Sequence, residues 1–176
     1  MDISYFKISC EELEQLMPVL EKSDPVWSQF LQRQIALGRH YPKEAGCVRE
    51  ADDRTQMDMF FLLGTTITRP DRVEAMSNRE SLLDYHAKGV TFYESVINQV
   101  REAIGGKNGI YRKGGQKVES TPEALITTLV PVVLSTLQLP AAISGAAIVI
   151  VLLISKIGVP AFCESTDSGR IDGSAG

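Results

Sequence analysis

Charge is missing from one long stretch of this chain. Between Glu123 and Lys156 lie 32 residues, ALITTLVPVVLSTLQLPAAISGAAIVIVLLIS, without an Asp, Glu, Lys or Arg. In a sequence that is 23% charged overall, the gap argues against ordinary solvated surface and leaves a bilayer or the buried centre of a helical domain. A basic excess is missing as well: the formal net charge is −4, which argues against a general nucleic-acid binder. Cysteine is scarce. Cys10, Cys47 and Cys163 are odd in number and far apart, unlike a secreted disulfide framework or a CxxC site, and they point to a reducing compartment. The two histidines, His40 and His86, have no second His or Cys at ligand spacing, whereas a zinc site needs about four convergent ligands. The opening MDISYFKISCEELEQL has neither a basic n-region nor an apolar h-region, so no signal peptide is expected and any membrane insertion falls to the charge-free run.

Motifs that would name a reaction are also wanting. Gly109 and Gly114 have the spacing of the first two phosphate-loop glycines, but Gly115 stands where Lys is required and Gln116 where Ser or Thr would hold a metal. Cys47 with His40 or His86 would make a thiolate pair, against which stands the commoner role of a lone cysteine as a small buried residue. Asp58 and the Asp52-Asp53 pair carry acid–base or metal potential, and the latter reads equally as a helix N-terminus using the dipole. No catalytic, cofactor-binding or metal-ligating residue is assigned, and no enzyme activity or cofactor is expected.

What is present is mostly helical. Ser9 and Glu12 form a capping-box pattern ahead of Leu13, Leu16, Met17 and Leu20, one face of a helix over 9–22 that Pro18 should kink or shorten. Asp24-Pro25 starts a second helix over 25–37, with Trp27, Phe30, Leu31 and Ile35 as its buried stripe. A polar loop is expected from Arg39 to Arg54. Met57 to Gly64 is a short apolar run open to helix or strand, and the Thr65-Thr66-Ile67-Thr68 that follows favours a strand. A long helix then covers about 79–104, striped by Tyr93, Val96, Ile97, Val100 and Ile104 and weakened at Gly89.

Gly105 to Ser120 is glycine-rich and the most basic stretch, reading as a linker or as a short β-hairpin at 108–118. Thr121-Pro122-Glu123 then opens the charge-free run as a helix. Leu139-Pro140 breaks that helix, a second begins near Pro140, and Gly158-Val159-Pro160 closes it after Ile157. Each helix has about 17 residues and spans ~26 Å, short of a hydrocarbon core of roughly 30 Å. Ala141, Ala142, Gly145 and Ala146 set small residues at i, i+4, a candidate helix-packing interface. Lys107, Arg112, Lys113 and Lys117 form a candidate contact for an anionic surface, and their position before the run keeps the N-terminal part cytoplasmic.

The resulting expectation is a mainly α chain. Residues 1–104 form a soluble helical domain able to close its own core; 105–120 is the basic linker or hairpin; 121–160 is an apolar helical hairpin, membrane-embedded or buried; 161–176 is a disordered tail. The favoured function is a small membrane-associated effector or accessory protein, whose cytoplasmic domain senses or recruits while the hairpin anchors in lipid and self-associates into a homo-oligomer. The alternative is a cytoplasmic, soluble all-helical protein-interaction module with the hairpin as its core. Membrane lipid and a protein partner are the expected contacts; nucleic acid is not.

Overall fold

The computed structural model describes residues 6–36, 56–68, 79–113, 121–140 and 143–164. It is mainly helical, with one small antiparallel sheet of two strands, β1 (Lys7–Ser9) and β2 (Gln56–Asp58). Their register pairs Ile8 with Met57, two side chains with almost no exposure, so even this short ladder is held from one side by the core. The helices are α1 (Cys10–Ser23), α2 (Pro25–Ala36), α3 (Met59–Thr68), α4 (Arg79–Gly105), α5 (Ile110–Lys113), α6 (Pro122–Leu137), α7 (Gly145–Ile157) and α8 (Val159–Glu164).

Local chemistry accounts for most of these boundaries. Ser9 caps α1 by accepting from the Glu12 amide at 3.1 Å, and Asp24 caps α2 through the Trp27 amide at 3.2 Å. Thr121 caps α6, with Pro122 in its first turn. Pro18 does not shorten α1, which continues to Ser23. The ring removes only the N–H owed to the Glu14 carbonyl, and both residues lie on the exposed side, where water can serve that oxygen.

The threonines after the apolar run do not make a strand. Only Gln56–Asp58 is extended, and Met59–Thr68 is helix. Asp58 sets the switch: its Oδ1 accepts from the Phe60 amide at 2.8 Å and the Phe61 amide at 3.2 Å. The Thr65 and Thr66 hydroxyls then donate back to the Leu62 and Leu63 carbonyls, each at 2.7 Å. A hydroxyl satisfied inside its own helix removes the usual penalty for burying threonine. The β-hairpin expected at 108–118 is likewise corrected: Ile110–Lys113 is a turn of helix, with Ile110 and Tyr111 packed on the core. Apolar contact outweighs the strand preference of so short a segment. The rest of that hairpin, the loop at 39–54 and Ala141 and Ala142 lie outside the described residues. Helix also extends past Pro160 to Glu164, because Phe162 and Cys163 are buried; the remaining tail is outside the described residues.

Two helices form the centre. All of Met59–Thr66 in α3 and all of Gly145–Ile154 in α7 is buried, and the two pack on each other. Around them, α1 and α2 pack together, α4 packs on α3 and α6, and α8 packs on α4 and α7. One core cluster draws on all of these helices and on both strands. The expected stripes face inward: Leu13, Leu16 and Leu20 from α1, Trp27 and Leu31 from α2, Ile97, Val100 and Ile104 from α4. Against α3, α4 approaches as close as backbones can. A Cβ on Gly64 would lie 1.8 Å from the Tyr85 carbonyl oxygen, and one on Gly89 1.8 Å from that of Phe60. Gly89, costly for an isolated helix, is thus needed for this contact.

α7 has 13 residues and α6 has 16. Among the described residues no helix is long and apolar enough to cross a membrane. The second helix of the run begins at Gly145, later than expected from Pro140. Gln138 ends α6 in the left-handed conformation, and the Ser144 hydroxyl donates to the Ser23 carbonyl at the end of α1 instead of capping α7. That bond satisfies one of the carbonyls a helix C-terminus leaves open.

Candidate functional site: a groove between two helices

The small residues singled out in the run fall on a junction inside the chain. Gly145 and Ala146 are buried; a Cβ on Gly145 would meet Trp27 Cε3 at 3.0 Å, with Asp24 and Thr66 at 3.5 Å. Trp27 is fixed there by its indole N–H, which donates to Thr65 Oγ1 at 2.9 Å. The close approach available at Gly145 therefore joins α7 to α2 and α3. Of the basic residues, Lys107 is exposed, Arg112 and Lys113 belong to α5 with side chains outside the description, and Lys117 lies outside the described residues.

A buried ion pair, not foreseen from sequence, sits at the start of α3. His86 Nδ1 on α4 lies 2.6 Å from Asp58 Oδ2, with the carboxylate almost wholly buried. The distance is that of a charge-assisted hydrogen bond, yet the N–H does not line up with the oxygen, so attraction of opposite charges is the surer description. Hydrogen-bonding interaction with Asp58 raises the His86 pKa above its ordinary value; desolvation opposes this, and the carboxylate's charge adds to it. Phe60 packs edge-on against both His86 and Tyr93. Since Asp58 Oδ1 already caps α3, this carboxylate ties the strand, the buried helix and α4 together. Among the described residues no hydroxyl or thiol hydrogen-bonds the imidazole, and no group of three or more His, Cys, Asp and Glu could hold a metal ion.

The main concave feature lies elsewhere, between α1 and α6. Two adjoining hollows of about 280 and 410 Å³ share Leu16 and Glu123 in their walls. α7 supplies the floor through Ile148 in one and Leu152 and Ser155 in the other. One wall is the outer flank of α1, from Glu12 and Gln15 to Val19 and Lys22; the other is α6, from Glu123 through Ile126 and Thr127 to Val130. Each wall recurs at three- and four-residue steps, so each is one face of its helix. Chain direction follows from the lining: the N-terminal turns of both helices meet at the smaller hollow, and the end of α7 meets them there. The walls are therefore parallel to each other and antiparallel to the floor.

Charge along the groove is uneven. At the smaller hollow Glu12 pairs with Lys156 across 3.4 Å, both side chains partly exposed. Glu123 in the middle and Lys22 at the far end make no ion pair with a described residue. Val19, 39% exposed, is one of the most exposed large apolar side chains. Apolar residues off the buried stripe, Val19 on α1 and Val130-Pro131 on α6, were the available signal in sequence, but pairing them across a gap needs the fold. No protein-family model, curated protein or solved structure matches the chain.

Proposed function

We propose that this protein is an all-helical interaction module, with α6 and α7 as an apolar hairpin in its interior and the α1/α6 groove as its docking surface for another protein. The observation that carries the proposal is the gap itself: two helical faces stand parallel over an apolar floor without closing on it. Grooves of this form receive the apolar stripe of an amphipathic segment. No chemistry at the site is required, and none is assigned.

The test uses helical peptides selected from a display library on the full-length protein. Val19→Asp and Thr127→Arg alter exposed wall positions, so they should abolish binding of most selected peptides while leaving the melting temperature within a few degrees. Peptides that bind both variants as well as the parent would place docking elsewhere and remove the proposal.

A second reading is supported by the charge-free run and the exposed Lys107: the hairpin anchors to a bilayer and residues 1–104 act as a cytoplasmic recruiting part. It requires α7 to leave a site in which each Ile, Leu or Val gains about 1.5–3 kcal/mol from burial. Flotation with anionic phospholipid vesicles decides it: protein left wholly in the unbound fraction removes the anchoring reading.

A further inference from the structure

We infer that the groove takes an amphipathic helix of defined charge order, lying antiparallel to α1 and α6, with an acidic N-terminal end over Lys22 and a basic residue over Glu123. This rests on the docking function proposed above and adds the chemistry of the partner. Three features carry it. The first is length: from Glu12 to Lys22 the wall runs ten helical steps, about 15 Å, which suits an occupant of three turns with apolar residues at i, i+4 and i+7. The second is charge. Glu12 is held by Lys156, whereas Glu123 and Lys22 have no ion-pair partner among the described residues. An occupant with the opposite order, base then acid, would meet like charge at both places.

The third feature is the dipole. The N-terminal ends of α1 and α6 converge at the Glu123 end of the groove. A helix entering antiparallel places its C-terminal carbonyls, the negative end, beside those positive ends. Acidic residues are favoured in a helix's first turn and basic residues in its last, so the orientation set by the dipoles is the one that Lys22 and Glu123 select. The two requirements agree.

The experiment uses two designed fluorescent peptides with the same composition and the same leucine stripe, each stapled into a helix. In the matched peptide acids lie in the first turn and bases in the last; in the inverted peptide they are exchanged. Anisotropy titration against the full-length protein should show the matched peptide binding at least about fivefold more tightly at low salt, with the preference shrinking as salt rises. Glu123→Lys combined with Lys22→Glu should reverse the preference. Equal binding of the two peptides, with both lost in Val19→Asp, overturns the charge order but leaves the docking function standing. Equal binding unaffected by Val19→Asp overturns both. Failure of both peptides to bind overturns the helical partner proposed here, and a dimer of the protein that Val19→Asp dissociates would make a second copy the occupant instead. Glu123→Gln, melting as the parent does, separates loss of the charge from loss of fold: it should weaken only the matched peptide.

Discussion

α6 and α7 come from one charge-free run and meet different fates. Every residue from Gly145 to Ile154 in α7 is buried, whereas α6 exposes Thr127, Thr128, Pro131 and Ser135 and buries Leu125, Ile126, Leu129 and Val133. Absence of charge is therefore not a measure of burial. α6 keeps water on one side through hydroxyls, each of which also has a partner in the helix: Thr127 donates to the Glu123 carbonyl at 3.0 Å and Thr128 to that of Ala124 at 2.8 Å. α7 has no such side, and the rest of the chain supplies its surroundings.

The most severe way to break the comparison is to remove both helices. A chain ended after residue 120 deprives α3 of α7, and α4 of α6 and α8. It should show helical circular dichroism without a cooperative melt; a sharp two-state transition would mean that residues 1–120 close a core of their own. A single charge tests each helix separately. Ile150→Arg puts an unpaired cation at a position with no exposure and should cost roughly 3–5 kcal/mol, read as collapse of the urea midpoint and loss of protease protection throughout the chain. The same residue at exposed Thr128 should shift stability by no more than about 0.5 kcal/mol. Equal effects at the two positions would erase the distinction between the helices.

Gly145→Leu sharpens the comparison at the start of α7. The new side chain runs into Trp27, so a loss of about 1–3 kcal/mol and a shift in tryptophan fluorescence are expected. An unchanged spectrum would show that the junction relaxes freely.

The smallest expected effect concerns α3, the other wholly buried helix. Because the folded pKa of His86 lies above its ordinary value of 6.5, its contribution is fully present below pH 6.5 and is lost as pH rises through the folded value. Thermal stability should therefore decline from mildly acidic to mildly alkaline pH by a component that is absent in His86→Gln. A pH profile identical in parent and variant would leave the Asp58 pair with no role in anchoring α3.

How much of this could be read in advance differs between elements. The Ser9, Asp24 and Thr121 caps and the stripes of α1, α2 and α4 were legible because each is decided within one or two helical turns. The α3 segment was misjudged because threonine favours strands only while its hydroxyl and branched carbon face a pleated surface, and here neither does. The turn at Ile110 was misjudged for a related reason: burial of Ile110 and Tyr111, supplied by distant residues, outweighed local glycine content. Of the site, its apolar members Val19 and Val130 stood out as misfits, but Lys22 and Glu123 looked like any solvated charge, and nothing local related them.

By itself the sequence determined that the chain is helical, where most helices begin, which faces are apolar, and that the material after Glu123 must avoid ordinary surface. Periodicity and capping act over a few residues, so they can be read without the fold. Only the tertiary structure decided that α7 is enclosed by protein, that Gly145 serves a junction within the chain, that Asp58 meets His86, and that α1 and α6 stand apart over a common floor. Those outcomes join residues far apart in sequence, and apolarity, being without direction, does not specify what will cover it.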